Sequence, residues 1–325
     1  MDGLTLTGSS AQKVILIYFT VAVIILSTAH LFRAENESIT NIPILLSVLL
    51  VLPICIMCRT SSKKKESSEE IDGRDKNTVL SWIFALFILA LFVRIPSVLL
   101  FSMPYEKTPL IYLIILTIVI VEKTDVSAFG FKIRNIGRSL LFGFLFFLII
   151  GGLASLISYF AIYCVTSQTP VQSYNVLPFL LSLPFMTLCV GISEEGLFRG
   201  YIQTHLEKLY TSNRAILIQA ILFGAWHFVW DLYPFNFTHM IFYVGYTFLV
   251  GLLFGYFYSK TRNLVPLVFA HGLVNSVPQG IVESQSVQDM LQAMPSSNQI
   301  LIWGLPYLVS IALTFLFIKY LTKEL

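Results

Sequence analysis

The sequence predicts an all-α fold: a polytopic transmembrane helix bundle of about ten helices, with its candidate active site inside the membrane. Three observations carry that reading. Of 325 residues, 56% are hydrophobic and 12% charged, with mean hydropathy +0.78, far from the composition of soluble domains. The 27 Phe and 15 Tyr supply side chains that gather at membrane interfaces. Apolar runs separated by short polar turns recur along the whole chain. The formal net charge of +3 is small, and the partners expected are the lipid bilayer and a membrane-associated molecule, with no nucleic acid.

Met1–Gln12 is short and polar, and Val14–Phe32 is apolar. A secretory signal peptide would want a basic start, a shorter apolar core and a small-residue cleavage site, so this run is read as a first transmembrane helix. Arg33–Asn41 is a polar turn and Ile42–Cys58 returns across the membrane. Arg59–Thr78 mixes Lys63, Lys64, Lys65, Glu66, Glu69, Glu70, Asp72, Arg74 and Lys76, as a solvated loop does. Residues 1–78 therefore read as a two-helix addition with a charged cytosolic loop, and 79–325 as the main membrane domain.

Further runs lie at Val79–Met103, Pro109–Val121, Ser139–Val165, Val176–Ile202, Ala215–Trp230, Met240–Tyr258, Leu264–Val282 and Ile300–Ile318. Pro109–Val121 is too short to span alone; it is tilted, re-entrant or extended by its flanks. Eight helices is the alternative if two runs are half-spans. Alternate loops hold Lys13, Arg59 to Lys76, Lys123, Lys132, Arg134, Arg138, Lys208, Arg214, Lys260, Arg262, Lys319 and Lys323. The opposite set offers Arg33 and Lys107, with Glu35, Glu37, Glu106, Asp231, Glu283 and Asp289. By the positive-inside rule both termini are cytoplasmic, in a cell membrane or, in a eukaryote, the endoplasmic reticulum.

Cys55 and Cys58 have CxxC spacing without a second pair, and Cys164 and Cys189 read as packing residues. Asn36-Glu-Ser38 and Asn236-Phe-Thr238 match the glycosylation acceptor pattern, but both sit close to the membrane, where modification is not expected. His30, His205 and His239 lie near expected membrane boundaries and receive no role. Arg94, just before Pro96, is a snorkelling or paired arginine or part of a cavity wall.

Three polar groups stand out within apolar runs. In Gly191-Ile-Ser-Glu-Glu-Gly-Leu-Phe-Arg-Gly200, each charge at membrane depth costs roughly 2.5–3.5 kcal/mol on insertion scales. Glu195 and Arg199 share a helix face at i, i+4, while Glu194 points about 100° away. This leaves Glu195 to pair and Glu194 free to react, unless the set is simply an ion network joining helices. The second group is Phe223-Gly-Ala-Trp-His227 and the third His271-Gly-Leu-Val-Asn275. Taken singly, each reads as well as helix-packing hydrogen bonding. Taken together, they fall within about 10 Å of one another in depth at 1.5 Å per residue, somewhat cytoplasmic of the midplane. A carboxylate, two imidazoles and an amide converging in apolar surroundings suggest hydrolytic chemistry.

These residues, in the order EExxxR, FxxxH and HxxxN on separate helices, resemble the CAAX-type intramembrane endopeptidase and bacteriocin-processing (CPBP, Abi) family. The motifs occupy a catalytic core of about 176–282, and the resemblance extends from roughly Val79 to Ile318. It implies a protease cutting a prenylated CAAX-type or leader peptide near the bilayer surface. Glu194 would be the general base activating water, His227 would hold that water, and His271 and Asn275 would polarise the scissile carbonyl. Glu195, Arg199 and Phe223 would give structural support. Such enzymes are often named metalloproteases; a zinc ion, if used, would sit on Glu194, His227 and His271, although the residues also suit a metal-free glutamate mechanism. A catalytically silent scaffold, a bacteriocin-immunity or peptide-binding protein, and a transporter with midplane charges remain as other classes.

Overall fold

A computed structural model describes residues 9–35, 41–61, 75–132 and 135–321. Most of the charged loop read between Arg59 and Thr78, the Asn36 acceptor site, Arg134 and Lys323 lie outside the described residues. Apolar composition becomes helix almost throughout: α1 (Ser9–Glu35), α2 (Asn41–Leu49), α3 (Val51–Ser61), α4 (Lys76–Phe101) and α5 (Lys107–Leu116), which runs on into a π-helical turn at Thr117–Val121. Then come α6 (Ile136–Phe147), a π-helical stretch at Leu148–Leu153, and α7 (Ala154–Thr166).

Among the described residues, six helical segments are long and apolar enough to cross a membrane: Ser9–Phe32, Ile42–Thr60, Lys76–Phe101, Ile136–Thr166, Val176–Leu209 and Phe237–Thr261. Lys107–Val121 and Gly304–Tyr320 are shorter apolar helices. The chain is thus an all-α membrane protein with six full-length candidate spans, where the sequence led us to expect about ten. The other expected runs form shorter helices, at Lys107–Val121, Ser212–Ala225, Val265–Ser276 and Gly304–Tyr320, which that length count does not include.

Start and stop signals follow the side chains. Asp75 caps α4 through Asn77 N (3.1 Å) and Thr78 N (3.3 Å), satisfying donors that a helix start leaves open. Asn175 caps α8 (Val176–Pro184) through Leu177 N, and Asn236 caps α12 (Phe237–Thr261) through His239 N. That engagement occupies the side chain of the second acceptor asparagine. After Pro184, which cannot donate to the helix ladder, the backbone widens into π-helix over Phe185–Gly191. α9 (Ile192–Glu195) follows, then a second π-helical stretch over Gly196–Gln203 and α10 (Thr204–Leu209).

The apolar run 264–282 does not stay helical. α13 (Val265–Ser276) stops early, and β2 (Ile281–Glu283) pairs antiparallel with β1 (Val171–Tyr174). This two-stranded sheet was not foreseen; its polar Gln and Ser among β-branched Val and Ile suit a half-exposed ribbon better than a membrane helix. α11 (Ser212–Ala225), α14 (Gln285–Ala293) and α15 (Ser296–Leu321) complete the chain.

The N-terminal helices are integral to the packing. Tyr18 Oη donates to Leu89 O at 3.2 Å, and Tyr112 Oη to Leu49 O at 2.9 Å. All four cysteines are free; Cys189 is buried as expected of a packing residue, but Cys164 is exposed. His205, expected at a wet boundary, is buried instead, with Nδ1 2.9 Å from Tyr201 O and its ring tilted against those of Tyr201 and Phe129. His30 and His239 are exposed.

Candidate active site

The doublet Glu194-Glu195 lies on α9, between the two π-helical stretches of one helical run. Wider turns of this kind recur where helices carry functional side chains. Close approach of α13 brings its histidine to this turn. Gly191 lies against Val268, where an added Cβ would come 2.7 Å from the Val268 carbonyl oxygen. Gly272 lies against Thr187, where a Cβ would meet Oγ1 at 2.1 Å. Only residues without a Cβ allow backbones this near.

Glu195 pairs with Arg199 as the i, i+4 spacing predicted, at 3.2 Å. Arg199 also donates to Gly251 O at 3.4 Å and lies over the ring of Phe223, 4.1 Å from its centroid. Glu195 has a second partner that spacing alone did not disclose: Oε1 lies 2.8 Å from His271 Nδ1. The support carboxylate therefore also fixes one of the site imidazoles.

The neighbouring carboxylate differs from its sequence reading. Glu194 is not left unpaired: Oε1 lies 2.5 Å from Lys107 Nζ and accepts from Trp226 Nε1 at 3.0 Å. Lys107 also lies 3.2 Å from Glu106 Oε1, and Glu106 is ion-paired to Arg94, which donates from Nε to Trp226 O at 3.1 Å. All four of these charged side chains are buried. Glu106 and Lys107, read as an outer loop, are core groups of the site, and Arg94 is both a paired residue and part of the cavity wall. An interior charge chain satisfies each member where any one alone would be prohibitive.

The other oxygen of Glu194 faces the histidines. Oε2 lies 3.5 Å from His271 Nε2 and 4.0 Å from His227 Nε2, and accepts no hydrogen bond from a described side chain. His227 Nδ1 lies 2.8 Å from Phe223 O, so that nitrogen carries the donating hydrogen and Nε2 is turned toward Glu194. Phe223 therefore supports the site twice, by its carbonyl and by its ring beneath Arg199.

Glu194, His227, His271 and Asn275 all line one cavity of about 990 Å³, at the upper end of ordinary ligand pockets. Asn275 borders it one helical turn beyond His271, on the same face of α13. Leu177, Leu181, Phe185, Met186 and Val190 give the cavity an apolar wall leading down to the polar end. The expected depth needs one correction. Helix continues to Leu209, so Glu194 sits near the middle of Val176–Leu209 instead of toward its C-terminal end.

Zinc on Glu194, His227 and His271 does not fit this arrangement. Among the described residues, no group of three or more His, Cys, Asp or Glu side chains is disposed to hold a metal ion. Lys107 already sets an ammonium against Glu194, and a dication would add to that buried positive charge.

Residues 175–277 match the family model described as type II CAAX prenyl endopeptidase Rce1-like. That match covers 103 of the 325 residues and makes this segment similar to the CAAX protease/CPBP family. No curated protein and no solved structure matches it. The matched segment begins at the cap of α8 and ends just past α13, enclosing all three motif helices. The match to a membrane endopeptidase family agrees with the six helical segments long and apolar enough to cross a membrane.

Three site residues escaped sequence reasoning, Glu106, Lys107 and Trp226, and Arg94 was read without its partner. One signal was present. A charged pair immediately before an apolar run too short to span marks a helix that starts inside the protein. Trp226, adjacent to His227, was hidden by its apolar character.

Proposed function

We propose that this protein hydrolyses a peptide bond of a membrane-associated peptide by a glutamate-dependent, metal-free mechanism. The observation that carries the reading is the unequal use of the two oxygens of Glu194: Oε1 is held by Lys107 and Trp226, while Oε2 faces two imidazoles at the end of the cavity. Lys107 keeps the carboxylate as an anion without consuming the oxygen that reacts. Water between Oε2 and His227 Nε2 gives its proton to Glu194 as its oxygen attacks the scissile carbonyl. His271, donating from Nε2 as the imidazolium while Nδ1 stays anchored on Glu195, and Asn275, one turn on, donate to the oxyanion that forms. Glu194 then returns the proton to the leaving amine.

We assign the motif-bearing core to 176–282 and the main domain to 79–325. The helices of 1–78 act as a brace, since Ser47 lies 3.9 Å from Cys189 and Pro43 borders the cavity. Prenylated CAAX-type peptides and unmodified leader peptides are the substrate classes to compare.

Purified protein incubated with both peptide types, with products read by mass spectrometry, tests this function. Cleavage that survives chelation is expected. Cleavage of neither type, together with binding of an intact peptide, would favour the peptide-binding alternative. Loss of activity on chelation with recovery on adding zinc would overturn the metal-free mechanism.

A further inference from the structure

Among the described residues the two ends of the bundle differ in charge, and the residues lining the cavity lie toward one of them. At the first end, Lys76 lies over the ring of Tyr210 (4.7 Å to the centroid), Arg262 pairs with Glu207, Leu264 N donates to Gly130 O at 2.8 Å, and Asn263 Nδ2 to Ser139 Oγ at 2.9 Å. These contacts gather the start of α4, the end of α10, the end of α12, the start of α13 and the segment around 130–139. Phe317 packs on Phe142 and Phe146, bringing the end of α15 to the same place. This end carries Lys76, Lys123, Lys132, Arg138, Lys208, Arg214, Lys260, Arg262 and Lys319, all exposed.

At the second end, Asn175 N donates to Gly280 O at 2.7 Å, Ser284 N to Pro170 O at 3.0 Å, and β1 pairs with β2. The exposed acids Glu283 and Asp289 lie here. Among the described residues, the basic residues that face this way are Arg94 and Lys107, buried in ion pairs, and Arg33, which lies in the last turn of α1. The cavity runs from this end: Asn175, Leu177, Pro178, Pro278 and Gln279 border it near the sheet, and Glu194 lies at its floor.

Lysine and arginine in short loops are retained on the cytoplasmic side of a membrane, and the bias in their number sets orientation. We infer that the active-site cavity opens on the non-cytoplasmic face, so the substrate is a peptide with an apolar scissile segment presented from that side. A substrate whose cleavable end is displayed only in the cytosol would meet the closed, basic end of the bundle. The inference rests on the protease reading for the word substrate, but the sidedness of the cavity stands on the charge distribution alone. It also narrows the substrate class: exported or lumenal peptide segments that dip into the bilayer, in preference to cytosolic C-terminal tails.

Two measurements keep these parts distinguishable. In a background with Cys55, Cys58 and Cys164 changed to alanine, Gln279→Cys and Lys260→Cys are treated with a membrane-impermeant maleimide in sealed right-side-out vesicles. Labelling of Gln279→Cys alone is expected, with Lys260→Cys labelled after detergent is added. The reverse pattern would overturn the orientation. The second measurement adds an impermeant fluorogenic peptide, apolar at its centre and lysine-flanked, to right-side-out or inverted vesicles. Cleavage at least tenfold faster in right-side-out vesicles, equalised by detergent and absent in Glu194→Gln, is the expected result. Cleavage confined to inverted vesicles contradicts the inference. No cleavage in either orientation or in detergent, with the labelling pattern as expected, leaves the sidedness intact and counts against the substrate assignment.

Discussion

Two buried ion networks meet at neighbouring residues of one helical turn and face opposite ways. On one side Glu195 joins Arg199 and His271, and the Gly251 carbonyl accepts both from Arg199 and from Gln219 Nε2, at 2.8 Å for the latter. On the other side Glu194 joins Lys107, Glu106 and Arg94, and it lines the cavity. Both networks are deeply buried, so burial alone does not separate a structural charge from a reactive one. Access does. The Glu195–Arg199 pair has protein on every side and its work is to hold α9, α11, α12 and α13 together. The Glu194 network holds one carboxylate oxygen and leaves the other turned toward imidazoles and open space.

The comparison breaks most visibly at Arg199. Arg199→Ala leaves Glu195 buried without its guanidinium, and losing one partner of a buried pair costs about 3–5 kcal/mol. A large fall in the melting temperature and poor accumulation in the membrane are expected, with activity falling in parallel. Normal thermal stability would show that the sealed network does not support the fold.

Next in size is Asn275→Ala, on the cavity side. Removing one oxyanion donor typically costs about 10²–10³-fold in kcat. Since Asn275 lines the cavity, the melting temperature should hardly move and KM should change less than kcat. An equal loss in melting and turnover would make Asn275 a packing residue.

Lys107→Met sharpens the contrast from the Glu194 side. It keeps most of the side-chain volume and removes the ammonium that holds Oε1. Misplacing a reacting group by about 1 Å can cost on the order of 10²-fold; turnover is expected to fall by about that much, with Lys107→Arg recovering part of it. Unchanged turnover in Lys107→Met would remove the counter-ion from the mechanism.

The smallest effect is expected at the basic end. Arg262 pairs with Glu207 but is 45% exposed, and such surface pairs contribute about 0–1 kcal/mol. Arg262→Ala should leave both melting and turnover nearly unchanged, as read by thermal unfolding and the peptide assay.

The sealed network was legible in the sequence to a greater degree than the open one. Glu195 and Arg199 are four residues apart on one helix, and local geometry is enough to pair them. Lys107 and Glu194 are separated by 87 positions, and no periodicity joins groups so distant. The motif residues Glu194, His227, His271 and Asn275 were legible because each interrupts an apolar run, and the structure brings them to one cavity. Helix was legible for the same reason, but whether a helix spans was not. Lys107–Val121 has the composition of a span and the environment of a core helix, buried at Leu110, Leu113 and Ile114. The β1–β2 ribbon was lost because its Ile281-Val282 half continues the apolar run of α13.

The most direct test of the account is Glu194→Gln, measured as turnover per folded molecule beside its melting temperature. The amide keeps the size of the side chain, and Lys107 retains Glu106 at 3.2 Å, so the fold should survive. Cleavage should fall by about 10²–10⁴-fold, the usual contribution of a general base. Combining it with His271→Ala should cost little more than either change alone, as for groups acting as one unit. Full activity in folded Glu194→Gln would contradict the central claim and move the chemistry away from this carboxylate.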